Sequence, residues 1–331
     1  MSNDIQSSAG FGRRSFLGGA AAAVAAGSQS RAAAVRPIPI IDAHIHLFDG
    51  TRPQGAPYLG SRAYRAVSHV SLPPAYKRLA APTGIVGAVV VEASAWVEDN
   101  LWLLEQAQDN PFIVGVSGHL DPATAEFAEY LGRYAKNPLF RAIRASRYFK
   151  ADGGKVVLNP VAVEGMKRLA GADLALDTAN PTMALLEADL RLSELVPDLR
   201  IIIDHLPSFD PTPQVQPAYE ALIRELVARP NIFVKLTEVY HPREDNSIVV
   251  KDYETLRARL EYLFTVFGED RVMFGTDYPN SYGVATIPEE VSLMKRFFAG
   301  PSRAAAEKYF WKNSAHIYKW VRRSPSQPAL A

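Results

Sequence analysis

Eight short apolar runs, each followed or preceded by a helix-like stretch, constrain this chain more than any other feature. They span 38–47, 85–93, 112–119, 140–145, 172–177, 200–205, 232–237 and 272–277. They are rich in Ile and Val and show little polar alternation, as strands buried on both faces do. Helical patterns fall between and after them, at 98–108, 122–136, 162–170, 182–196, 219–229, 253–267, 287–298 and 302–320. Parallel strands need crossover connections, and eight strand–helix repeats predict an α/β fold, a (β/α)8 TIM barrel. The 331 residues accommodate one such barrel, which takes about 250 residues and tolerates insertions. An open doubly wound sheet would show the same alternation. No glycine-rich phosphate loop follows the first run, which speaks against it.

The barrel domain is expected over 38–321, with a flexible tail at 322–331. A long Pro- and Gly-rich insertion, 49–82, follows the first strand, where a barrel has its C-terminal mouth. Ahead of the barrel, Arg13-Arg14-Ser15-Phe16-Leu17 precedes a weakly apolar Ala/Gly run and the small residues Ala32-Ala33-Ala34. This is the layout of an export signal, 1–34, and the paired arginines resemble the twin-arginine motif. Export through the twin-arginine machinery to the periplasm is therefore expected. Cleavage near Ala34 would remove three positive charges and one negative one, taking the formal net charge from +1 to −1. The Ala/Gly run is too short and too weakly apolar for a stable membrane span. Charged residues make up 21% of the chain and both signs are mixed, so nothing marks a nucleic-acid footprint. The chain has no cysteine, which excludes disulfides, thiolate metal ligands and a cysteine nucleophile. Oligomeric state is not legible.

The chemistry gathers at three strand ends. The first strand ends Asp42-Ala43-His44-Ile45-His46, and residues two apart share a strand face. His44 and His46 are therefore expected to point together into the barrel mouth. The sixth ends Ile201-Ile202-Ile203-Asp204-His205-Leu206-Pro207. Alternation puts Ile201, Ile203 and His205 inside and Asp204 outside. The eighth reads Met273-Phe274-Gly275-Thr276-Asp277-Tyr278-Pro279-Asn280, with Met273, Gly275 and Asp277 on one face. A glycine below the aspartate leaves room for a neighbouring group. Imidazoles and a carboxylate at one mouth can bind a divalent metal or serve as base and oxyanion donors. Arg144 and Arg147, after the fourth strand, offer forks suited to a substrate carboxylate. Glu92, Ser94, Lys235, Glu238 and His241 are further candidate substrate-binding residues at strand ends. His69, His119 and His316 lack motif support, and His316 reads as structural.

These motifs resemble the amidohydrolase superfamily. More narrowly they are similar to the amidohydrolase-related group that includes fuconolactonase, 4-sulfomuconolactone hydrolase and 2-pyrone-4,6-dicarboxylate hydrolase. Val234-Lys235-Leu236-Thr237 resembles that group's lysine-bearing seventh strand, and Gly268 to Gly275 its approach to the eighth. The resemblance implies that His44, His46 and His205 line the site and that Asp277 activates water. Those four would also be the ligands of a metal, zinc or manganese. Other branches carry a carboxylated lysine at strand four and a histidine at strand five, where this chain has Arg141-Ala142-Ile143-Arg144-Ala145-Ser146-Arg147 and Asp177-Thr178-Ala179-Asn180. That departure implies at most one metal, and some similar members work with none. No organic cofactor is implied. The expected reaction is hydrolysis of a small acidic lactone or related ester. Decarboxylation of an aromatic acid on the same site is the alternative. A catalytically inactive periplasmic binding protein is the alternative outside enzymes.

Overall fold

The structure is a computed structural model that describes residues 37–54, 67, 69–178, 180–240 and 249–330. The eight expected strands form one eight-stranded sheet in chain order. They are β1 (Ile40–His46), β2 (Ile85–Val91), β3 (Ile113–His119), β4 (Phe140–Arg144), β5 (Ala175–Asp177), β6 (Ile201–Ile203), β7 (Ile232–Lys235) and β8 (Val272–Met273). Neighbours pair in parallel. Backbone bonds from Ala43 N to Phe274 O (3.0 Å), Asp277 N to His44 O (2.9 Å) and His46 N to Tyr278 O (2.7 Å) close the ring between β1 and the end of β8.

Helices cover the outside: α1 (Pro73–Ala80), α2 (Asp99–Asp109), α3 (Phe127–Tyr134), α4 (Pro160–Gly171), α5 (Met183–Leu195), α6 (Gln216–Val227), α7 (Tyr253–Phe267) and α8 (Ile287–Phe297). Helix α1 lies within the insertion after β1, where Pro73 starts it and no apolar period announced it. The expected helix at 302–320 is broken by a π-helical turn, Lys308–Lys312.

Two cores separate cleanly. Ile41, Ala43, Val89, Val114, Ala142, Ala175, Ile202, Phe233 and Met273 fill the barrel, with each strand contributing. Ile40, Ile45, Ile201, Ile203 and their equivalents face the helices. Ile317, Tyr318 and Trp320 join the inner core, so the end of the chain plugs the barrel from below. Arg141 and Arg200 clamp that plug by donating to the carbonyls of Tyr318 and Ile317, both at 2.8 Å. In the tail expected from 322, Ala329 and Leu330 are exposed, while Arg323 and Gln327 are held against the barrel. Gln327 is buried, donates to Pro111 O (2.9 Å), and accepts from the backbone of Arg323 and Ser324. Arg323 donates to the carbonyl of Ala107. These bonds satisfy carbonyls that the strand and helix ends leave open.

Candidate active site

Strand β1 reaches the site through a bulge. Its register with β2 runs Asp42↔Ala88 and then Ile45↔Val90, three steps against two. A bulge turns the side chains that follow it. Ile41 and Ala43 thus point inward below it, and His44 and His46 point inward above it. Asp42 faces out and stitches the closure. Its Oδ1 accepts from His44 N and Thr276 N, both at 3.0 Å, and its Oδ2 from Tyr76 Oη and Thr276 Oγ1, both at 2.6 Å.

The sixth strand corrects the sequence expectation. Ile202 is the inward isoleucine, so Asp204 points into the barrel and not toward the helices. His205 still arrives at the site because its backbone turns left-handed, with φ 54°. Glu238 and Asp277, both at φ 51°, do the same beyond β7 and β8. Such backbone costs about 1–3 kcal/mol for a residue other than glycine and collects at functional sites. Here three successive strand ends adopt it, and ligand atoms of His205, Glu238 and Asp277 lie within 4.8 Å of one another.

Asp277 Oδ1 is the meeting point. It lies 3.1 Å from His46 Nε2, 3.5 Å from His44 Nε2 and 3.9 Å from His205 Nε2. Asn280 Nδ2 donates to it at 3.2 Å. His46 Nδ1 faces the carbonyl oxygens of Val91 (3.1 Å) and Glu92 (2.9 Å), and His205 Nδ1 faces Thr237 Oγ1 at 2.6 Å. Gly275 has no room for a side chain: a Cβ there would lie 2.7 Å from Thr237 Cγ2 and 2.9 Å from His44 Cβ.

Burial sets the charge states. It pushes His44 and His205 well below the usual imidazole range, and with Arg144 it brings His46 down to about 4. All three rings are neutral near pH 7, the state a metal requires. Burial raises Asp277 to about 7, opposed by the Arg144 charge. Its Oδ2 is buried without a hydrogen bond. Neutral imidazole nitrogens, carboxylate oxygens and an unsatisfied buried acceptor fit a divalent metal ion.

A second polar layer lies beneath. Lys235, expected among the substrate-binding residues, is wholly buried there, 2.8 Å from Asp177 Oδ1 and 2.9 Å from Asp204 Oδ1. Tyr318 from the C-terminal plug donates to the same Asp177 oxygen at 2.5 Å. Asp177 was missed as a site residue, although it stands two residues after the inward Ala175. Arg144 Nε is 3.8 Å from Asp204 Oδ2.

Beside the cluster opens a cavity of about 490 Å³. Arg144, Arg147, Glu92 and His119 line it, so two expected arginines, one expected glutamate and one unexpected histidine share a wall. Ser94 is not brought to this wall; its Oγ accepts from Trp96 N at 3.1 Å and braces the loop after β2. His241 lies outside the described residues. His316 stands edge-on to Phe233, 6.4 Å between centroids, in the plug. His69 accepts through its carbonyl from Gly50 N at 2.9 Å.

A closed parallel barrel with histidines and a carboxylate at its C-terminal mouth defines a barrel hydrolase class of site. The chain belongs to the amidohydrolase family, whose model matches residues 41–320. It is 28% identical over 299 residues to L-fucono-1,5-lactonase of Burkholderia ambifaria, covering 87% of this chain and 98% of that one. In fold it is similar to an amidohydrolase from Burkholderia multivorans crystallised with bound zinc (TM-score 0.73, 22% identity, 85% and 99% of the two chains). It is also similar to a putative 2-pyrone-4,6-dicarboxylic acid hydrolase from Pseudomonas putida (TM-score 0.65, 19% identity, 86% and 98%). Among the described residues no helix is long and apolar enough to cross a membrane.

Proposed function

We propose that this protein opens a small lactone, or a related carboxylic ester, that carries an acidic substituent. One observation carries the reading: three neutral imidazoles converge on a buried carboxylate whose pKa is about 7, beside a cavity lined by two arginines. A base poised near the working pH is what proton abstraction from water needs. Asp277 takes a proton from water as its oxygen bonds to the carbonyl carbon. The oxyanion that forms faces the imidazole cluster. Collapse breaks the ring C–O bond, and the proton on Asp277 passes to the leaving oxygen. Arg144 and Arg147 hold the acidic substituent through paired N–H donors. The lactonase named among the relatives supports the reaction class.

A divalent ion held by His44, His46, His205 and Asp277 would add polarisation of the carbonyl. The zinc-bound structural neighbour favours zinc over manganese. Export by the twin-arginine route is a further proposal, resting on Arg13-Arg14-Ser15-Phe16-Leu17 alone. Periplasmic fractionation with N-terminal sequencing near Ala34 tests it, and an uncleaved cytoplasmic chain refutes it.

The deciding experiment is a panel of lactones and aromatic carboxylic acids, with products identified by NMR and metal content measured before and after chelation. Ring-opened hydroxy acid is expected. Release of CO2 without ring opening would replace hydrolysis with decarboxylation. Tight binding with no turnover of any compound would leave a binding protein.

A further inference from the structure

Lys235 has three neighbours for its ammonium: Asp177 Oδ1 at 2.8 Å, Asp204 Oδ1 at 2.9 Å and His44 Nδ1 at 3.1 Å. An ammonium has three N–H donors and no lone pair. The contact with Asp204 is an ion pair, and the hydrogen bonds run to Asp177 Oδ1 and His44 Nδ1; an ammonium can only donate, so His44 Nδ1 accepts. The competing partner of that nitrogen, Asp204 Oδ2, is farther away at 3.5 Å. A neutral imidazole that accepts at Nδ1 carries its proton on Nε2. His46 is set the other way. Its Nδ1 faces two backbone carbonyls, which only accept, so its proton is on Nδ1 and its Nε2 is a lone pair. His46 Nε2 stands 3.2 Å from His44 Nε2 and 3.1 Å from Asp277 Oδ1, and a proton on His44 Nε2 supplies that lone pair with a donor. The donors then run one way: Lys235 to His44, His44 to His46, His46 to the backbone.

We propose that Lys235 is a positioning residue that fixes the proton of His44 on Nε2. His44 therefore offers an N–H to the reaction space, where a metal ligand would offer a lone pair. Its use as an oxyanion donor rests on the hydrolase reading; the proton's position does not. A metal reaching for His44 Nε2 must first move that proton to Nδ1, which then donates to Asp204 and loses its bond from Lys235. Lys235 thus weakens the site's hold on a metal. The brace below it is the Tyr318 hydroxyl on Asp177, so the C-terminal plug takes part in setting the tautomer.

The test is read on the resting, metal-stripped protein. With 15N-histidine labelling, long-range proton–nitrogen spectra separate the two tautomers of each ring, and loss of signals in His44→Gln assigns His44. The expected result is Nε2–H for His44 and Nδ1–H for His46. Nδ1–H for His44 overturns the proposal. In Lys235→Met, His44 should change to Nδ1–H, and zinc affinity by chelator competition should rise about tenfold or more, the scale on which partners of a metal-binding histidine act. An unchanged affinity in a folded K235M variant also overturns it. Should that variant not fold, the wild-type spectrum decides alone. Failure to open any lactone would leave the tautomer result standing, and the converse holds.

Discussion

Replacing Asp42 by Ala tests how the barrel closes. Asp42 is fully buried and accepts four hydrogen bonds, from His44 N, Thr276 N, Thr276 Oγ1 and Tyr76 Oη. These donors belong to β1, the end of β8 and α1, so one carboxylate ties the first strand to the last and to the first helix. Burial raises the pKa of Asp42, which shows that desolvation offsets part of what the bonds contribute. In the alanine variant the two hydroxyls can rotate toward water in the space left behind. The two backbone N–H groups cannot move. Each buried unpaired donor costs about 1–3 kcal/mol. Loss of packing adds to this, and about 4 kcal/mol in all is expected, in line with disrupting a buried charged network. A native stability of about 5–15 kcal/mol makes that a severe loss. Urea unfolding followed by tryptophan fluorescence measures it, with the slope checked against wild type. Tyr76→Phe, which removes one of the four bonds, should cost about 1 kcal/mol. An Asp42→Ala protein within about 1 kcal/mol of wild type, the range of an ordinary surface change, would refute the closure role.

Gly275→Ala should displace His44 and Thr237, because the new Cβ would lie 2.9 and 2.7 Å from them. A loss of about 1–3 kcal/mol in stability and of about 100-fold in kcat/KM is expected, and wild-type values for both would contradict the packing described. In metal-free protein kcat/KM should rise as pH passes through about 7, since Asp277 acts as the ionised base and its pKa is raised to about 7. A profile flat across that region, or full activity in Asp277→Asn, would remove Asp277 as the base. Away from the site, buried Asp189 takes a bond from Tyr148 Oη at 2.5 Å, and burial raises it to about 8. The folded state therefore keeps a proton that the unfolded chain has already released. Its contribution is complete below the unfolded carboxylate pKa and is lost as pH rises toward 8, by about 1.4 kcal/mol per unit. Asp189→Asn should flatten that fall in urea unfolding between pH 5 and 8, and an unchanged slope would show that Asp189 is ionised in the fold.

The barrel was legible because its strands are buried on both faces, and such strands read as continuous apolar runs. His44, His46 and Asp277 were legible as a constellation because spacing and motif agreed. The same double burial hid the parity of β6. Ile201-Ile202-Ile203 has no polar residue to mark its outer face, so Asp204 was placed outside when it lies inside. The bulge in β1 and the left-handed turns at His205, Glu238 and Asp277 also escaped local patterns, since they are imposed by register and ring closure. Lys235 could be named from its strand, but its partners come from β1, β5 and β6, and no spacing along one strand reports three others. Gln327 and Tyr318 show the same limit at the chain end, where polar, Pro-containing sequence looks free until a barrel floor stands beneath it. The sequence by itself determined the repeat of strands and helices and the donor types at the mouth. The direction of each donor, and the buried lysine that orders their protons, depended on contacts between residues far apart in the chain, which only the closed tertiary structure brings together.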